Sequence, residues 1–254
     1  MWVADRSNDS VIELSPAGAT VGTFSVGGES LAIAFDGTNM WAASYIGNTV
    51  SEFSPTGATL GTFPVVSGPS GLAFDGTNMW VASTGSNYTV DEAPTVTELS
   101  PTGETLATVV LGAQAFPYAI AFDGASMWVT EEVHGTVIEL SATGEILGTF
   151  AVGSYPAAIA FDGTNMWVAN SGDNTVTELS PAGTTLGTFT VGSLPEALAF
   201  DGTNIWVANS GDNSVTVLSA TGTTLGTFAV GASPYGLAFD GMHIWVGGTG
   251  VTEL

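Results

Sequence analysis

Trp2, Trp41, Trp80, Trp128, Trp167, Trp206 and Trp245 are separated by 39 residues at every step but one, which is 48. Spacing this regular fixes an internal repeat, and a repeat of this length restricts the chain to a few architectures. Six Phe-Asp-Gly triplets, beginning at Phe35, Phe74, Phe122, Phe161, Phe200 and Phe239, keep the same step.

The copy from Leu194 to Gly231 shows the unit most clearly. Ala197-Leu198-Ala199-Phe200 is a short apolar run closed by Asp201-Gly202-Thr203-Asn204, a hairpin-turn signal; this is strand a. Strand b, Ile205-Trp206-Val207-Ala208, is followed by Asn209-Ser210-Gly211-Asp212-Asn213, residues that tolerate left-handed backbone. Strand c, Ser214 to Leu218, closes on Ala220-Thr221-Gly222, and strand d runs from Thr224 to Val230. Four short antiparallel strands in about 40 residues match the blade of a β-propeller; β-helix coils are shorter, and helical solenoids need a 3.6-residue pattern absent here. The expectation is an all-β chain: one propeller domain over residues 1–254 with an insertion in the loop 84–95.

Strands b and c occur seven times, strands a and d only six. Seven four-stranded blades around a central channel, with incomplete terminal blades, account for this best; six blades with a redundant b–c hairpin are the alternative. The first copy opens at Met1-Trp2 inside strand b, and the last closes at Val251-Thr252-Glu253-Leu254 inside strand c. A fragment of a longer repeat array would look like this, with a preceding segment supplying the missing strands d and a.

Strands a and b are apolar on both faces, while c and d carry Thr and Glu. Inner strands sandwiched between blades read as continuous apolar runs, so a and b are expected inside and c and d toward water. Each strand-b Trp then packs between blades. Asp36, Asp75, Asp123, Asp162, Asp201 and Asp240 end strand a; a ring of carboxylates could hold a cation, but an Asp before Gly caps its own turn. Glu13, Glu52, Glu98, Glu139, Glu178 and Glu253 on strand c read as a solvated outer face.

Charge narrows the partners. Twenty-four Asp and Glu face a single basic residue, Arg6, for a net charge of −23. Nucleic acid is excluded, because phosphate contacts need Lys and Arg, and anionic membranes are excluded for the same reason. No apolar run approaches the roughly 20 residues of a membrane span, and no secretory leader pattern is present. Without cysteine there are no disulfides, catalytic thiols or thiolate metal sites. A Thr/Ser/Asn/Gly-rich surface lacking Lys fits an exported protein, extracellular or at the cell surface.

In a repeat this faithful, departures carry information. A meander alternates direction, so b–c and d–a loops share one face. The third b–c loop is about seven residues longer than its counterparts and contributes Tyr88, Asp91 and Glu92. The next d–a loop carries Gln114, Phe116 and Tyr118, and the next b–c loop reads Glu131-Glu132-Val133-His134-Gly135. Loops on a rigid scaffold are where binding resides. The candidate ligand site is therefore Tyr88, Asp91, Glu92, Phe116, Tyr118, Glu131, Glu132 and His134. Within it Asp91, Glu92, Glu131 and His134 are candidate ligands for a divalent cation: Ca²⁺ through oxygens, Zn²⁺ if the imidazole takes part. His243 replaces the turn Asn of other copies, and no Ser-His-Asp set can be assembled.

Pro234-Tyr235-Gly236-Leu237-Ala238-Phe239-Asp240-Gly241 and Trp167-Val168-Ala169-Asn170-Ser171-Gly172-Asp173-Asn174 resemble NHL and YVTN propeller repeats. That resemblance implies ligand or protein binding on one face and no single activity. Pro117-Tyr118-Ala119-Ile120 followed by Trp128-Val129-Thr130-Glu131 resembles the virginiamycin B lyase-like propellers. Their catalytic pattern places His just after Pro in the d–a loops and Glu beyond the strand-b aromatic. Here the residues after Pro are Ser70, Tyr118, Ala157, Glu196 and Tyr235; Glu131 fits the Glu position, but His134 lies in a b–c loop, so that chemistry does not carry over. The function expected is a non-catalytic binding or structural module, with protein, glycan or a second copy as partner. A self-associating filament or adhesion protein is the second reading and a lyase-like enzyme the third.

Overall fold

The computed structural model describes residues 1–85, 93–112 and 114–254. Among them, 26 strands form seven antiparallel sheets, the blades of a β-propeller. Five sheets hold strands a to d in sequence order. The first (Trp2–Asp5, Ser10–Leu14, Thr20–Ser25) lacks strand a, and the last (Gly236–Phe239, Ile244–Gly247, Val251–Glu253) lacks strand d. In the last sheet Trp245 lies opposite Ala238 on one side and Glu253 on the other. The final hairpin is thus part of a seventh blade, which removes the six-bladed alternative. The chain divides into two compact units: Met1–Val129 with Leu140–Glu145, and Thr130–Glu139 with Ile146–Leu254.

The fifth blade (Pro156–Phe161, Met166–Asn170, Thr175–Leu179, Thr185–Thr190) serves as the reference. Trp167 is fully buried. It stacks on Phe189 of strand d with centroids 5.6 Å apart, and packs with Ile205 and Val207 of the sixth blade. Trp41 repeats this against Phe63 and against Met79 and Val81 of the third blade. Each indole removes on the order of 200 Å² from water, and its N–H then needs an acceptor.

The repeated Asp supplies it. Asp162 Oδ1 accepts the backbone N–H groups of Thr164 and Asn165 at 2.8 and 2.7 Å, and Oδ2 accepts Trp167 Nε1–H at 2.7 Å. The same triple bond set recurs at Asp36, Asp75, Asp123, Asp201 and Asp240. The turn-capping reading of these residues is right, and the indole is their second duty. At Asp201, burial works to raise the pKa, but the bonds from Trp206, Asn204 and Thr203 outweigh it and the net shift is downward.

The expectation for strand c needs correction. Glu52, Glu98 and Glu178 are buried, not a solvated face. Each accepts the side-chain N–H of the a–b turn Asn, from Asn39, Asn78 and Asn165, at 2.6 to 2.7 Å. Glu13 and Glu139 are partly buried, and only Glu253 is exposed. Strand c as a whole is interior, and only strand d alternates toward water. Uncharged Thr and a hydrogen-bonded carboxyl fit between blades, so polarity alone misplaces this strand. Burial raises the pKa of Glu178, the Asn165 bond lowers it, and the charge of Asp162 raises it, for a net upward shift.

Replacing Asp162 by Ala leaves the buried indole N–H and two turn amides without an acceptor. The expected loss is about 2–4 kcal/mol, read from urea unfolding followed by tryptophan fluorescence. An unchanged midpoint would show that the indole bond contributes nothing.

Candidate functional site

The loops that carry the candidate residues are built from a recurring clasp. In the fifth blade Asn170, at the end of strand b, accepts Gly153 N–H at 3.0 Å, and Asp173 accepts Ser154 N–H at 2.7 Å. Both donors lie in the d–a loop that enters the blade. Asn174, at φ 57°, accepts Leu194 N–H of the following d–a loop at 2.9 Å. Each d–a loop in this unit is thereby tied to b–c loops, which confirms that the two loop types share one face.

The fourth b–c loop carries a different pair at the two clasp positions. Glu131 stands where the fifth blade has Asn170, and His134 where it has Asp173. Glu131 ends strand b (Met127–Glu131) and is 2% exposed. Its Oε2 accepts the His134 backbone N–H at 2.8 Å and lies 2.5 Å from His134 Nδ1. The structure therefore brings Glu131 and His134 together, as a pair that closes its own turn. The His134 side chain is half exposed.

Glu132 points to the chemistry of this face. Burial first, and the negative charge of Glu131 second, raise its pKa. Its charge also acts on Glu196, a residue that pattern reading noted only as failing to be His. Glu196 follows Pro195 in strand a of the sixth blade (Pro195–Phe200), at the bulge between Pro195 and Ala197. Burial first, and Glu132 second, push its pKa up to about 7. The corresponding residue of the intervening blade, Ala157, is small and buried. Glu196 was findable: of the five residues after Pro, it alone is a carboxylic acid. Val133, Leu194 and Tyr235, also on these loops and strand starts, are exposed.

The remaining candidates divide. Tyr88, Asp91 and Glu92 lie outside the described residues. Phe116 and Tyr118 are half-buried in the first unit, where Ser70 Oγ donates to Pro117 O at 2.9 Å. Among the described residues, no group of three or more His, Asp or Glu is arranged to hold a metal ion. At the a–b turns of the first unit, a cleft of about 250 Å³ lined by Asp36, Asn39, Trp41 and Glu52 contains the structural carboxylate network already described. No helix among the described residues is long and apolar enough to cross a membrane.

No protein-family model matches the chain, and no curated protein sequence matches it. Solved structures do. A catalytically inactive histidine-to-alanine variant of virginiamycin B lyase from Staphylococcus aureus, determined with quinupristin, superposes with a TM-score of 0.84 at 16% identity, covering 97% of this chain and 87% of that one. A streptogramin B lyase gives 0.85 at 16% identity over 100% and 89%. Kuenenia stuttgartiensis hydrazine synthase gives 0.85 at 16% over 100% and 91%. Proteins named for unrelated reactions thus share this fold equally well, and at such identity the likeness establishes the seven-bladed propeller alone.

Because the folded pKa of Glu196 lies above its ordinary value of 4.5, the native state holds more protons than the unfolded chain between pH 4.5 and about 7. This contribution to stability is complete below that window and is lost as the pH rises through it. Glu196→Gln is neutral throughout. Its melting temperature, relative to the parent chain, should climb between pH 5 and 8; a constant difference would show that Glu196 ionises normally.

Proposed function

We propose that this protein is a non-catalytic, exported single-domain propeller of NHL/YVTN-like repeats that binds a cationic ligand on its b–c/d–a loop face. The supporting observation is the Glu132–Glu196 pair: both carboxyls are partly buried, and the pKa of Glu196 is pushed up to about 7 by burial first and by repulsion from Glu132 second. A cation removes that repulsion. Exposed Val133, Leu194 and Tyr235 supply apolar surface for the rest of an organic cation, whereas a divalent metal would draw on the carboxyls, with His134 as a further ligand.

Binding should therefore release a proton. Calorimetry at pH 6.5 in two buffers of different ionisation heat, with benzylammonium, Ca²⁺ and Zn²⁺ as titrants, measures it. The expected result is one tight titrant that displaces part of a proton, weakened about tenfold or more, which is roughly 1.4 kcal/mol, by Glu196→Gln. If no cation binds, or if Glu132→Gln and Glu196→Gln bind as well as the parent, the reading fails.

Two other readings have specific support. The six outer strands, such as Thr185–Thr190 and Thr224–Ala229, contain no charged residue and expose an aliphatic side chain in turn after turn, including Val21, Leu60, Leu106, Leu147, Leu186 and Leu225. Uncharged open edges favour self-association, which light scattering at high concentration tests. A carboxyl titrating near 7 also suits general acid–base work, which supports the lyase-like reading; turnover of a streptogramin B that Glu196→Gln abolishes would establish it.

A further inference from the structure

The third blade departs from the clasp in a way that opens a cleft. In the fifth blade Asn170 Nδ2 donates to Thr175 Oγ1 and Thr177 Oγ1 at 3.1 and 2.9 Å; in the sixth, Asn209 does the same for Ser214 and Thr216. The third blade has Ser83 at this position, opposite Thr95, and the two hydroxyls that would meet the carboxamide are those of Thr95 and Thr97. Ser83 is 0% exposed, and Thr95 and Thr97 are each 3% exposed. None of the three hydroxyls has a hydrogen-bond partner among the described residues. In the second blade, which also has Ser here, Ser44 donates to Gly28 O at 2.6 Å and Ser51 pairs with Thr62 at 3.1 Å. The orphaned set is therefore peculiar to the third blade.

The facing loop has changed too. Where the fifth and sixth blades have Gly153 and Gly192, the third faces Val66. A Cβ at either glycine would stand 2.7 or 2.6 Å from the Asn side chain, so Val66 is compatible with Ser83 and incompatible with Asn. Above the two threonines lies a cleft of about 520 Å³, walled by Val65, Val66 and Val110, with Thr95, Thr97 and Thr108 on its floor; among the described residues, none of its lining side chains is charged. That volume lies within the roughly 300–1,000 Å³ usual for small-molecule sites.

We propose that this cleft binds a neutral, polyhydroxylated small molecule the size of one or two sugar rings. Each threonine hydroxyl can both donate and accept, which matches a ligand made of hydroxyl groups. A charged ligand would find no counter-charge among the described side chains of the cleft. A wholly apolar one would leave the hydroxyls unpaired, at the cost of their desolvation. The C–H faces of a pyranose fit the valine walls. This site lies wholly within the first unit and does not depend on the Glu132–Glu196 reading.

The test uses the full chain with glucose, xylose and maltose as probes, followed by saturation-transfer NMR. At least one should bind with a dissociation constant on the order of millimolar. Thr97→Val removes a hydroxyl that has no partner among the described residues; it should leave the melting temperature unchanged or higher and weaken the probe about tenfold or more. Val66→Gly combined with Ser83→Asn rebuilds the fifth-blade network and should close the cleft, abolishing binding in a folded protein. Absence of binding by all three sugars overturns the proposal, as does equal binding by Thr97→Val. A lowered melting temperature in Thr97→Val also overturns it, because the hydroxyl would then have a stabilising partner.

Discussion

The bond between each turn Asp and the indole N–H of the Trp five residues later supports everything else in this fold. Without it the Trp could be buried only with an orphaned donor, and the interior between blades depends on that Trp. With it, one carboxylate closes the a–b turn and fixes the ring at 2.7–2.8 Å in six blades. At Asp240 the same bonds, led by the one from Trp245, hold the pKa down at about 2. The first blade, which lacks strand a and its Asp, leaves Trp2 only partly buried, its ring tilted against Phe24 and Phe53.

Charge in this protein consequently has an unusual distribution. Carboxylates are put to work inside, as acceptors for indole, amide and carboxamide N–H groups, so a chain with one basic residue needs few ion pairs. Arg6 meets Glu29 at 3.0 Å on the surface, where such a pair is worth little. The buried acids survive because each has donors directed at it. At Glu196, burial first and the charge of Glu132 second push the pKa up to about 7 instead.

Strand order, blade count and turn positions were legible because they rest on local signals: the apolar runs, the Asp-Gly turns and the Trp period. Strand c was misjudged because its burial depends on partners elsewhere. Glu52 meets Asn39, and Glu98 meets Asn78, across a hairpin that spacing does not reveal as a hydrogen bond. Yet the coupling left a trace. In the sixth blade the Glu is Val217, and Asn204, deprived of its acceptor, turns to Asp201 Oδ2 at 3.4 Å. In the seventh the Asn is His243, which lies 3.5 Å from Glu253 and 3.7 Å from Asp240. Of the candidate site, Glu131 and His134 meet within a single turn. Glu196 was missed because reading for a histidine passed over the one carboxyl that occupied the slot.

The repeat thus serves as an internal control for function. Where a position recurs unchanged, its role is structural, as with Asp162 and Trp167. Where two positions change together, the change has to be read as a unit. Glu131 with His134 replaces the clasp pair by one that bonds within the turn and keeps the turn closed. Ser83 with Val66 removes both halves of a hydrogen-bonded clasp and leaves three hydroxyls without partners among the described residues. The first exchange conserves satisfaction of the buried polar groups, whereas the second does not. Unsatisfied buried hydroxyls cost a protein stability unless something else meets them. That asymmetry, rather than the size of any loop, separates a substitution the fold has absorbed from one that leaves room for another molecule.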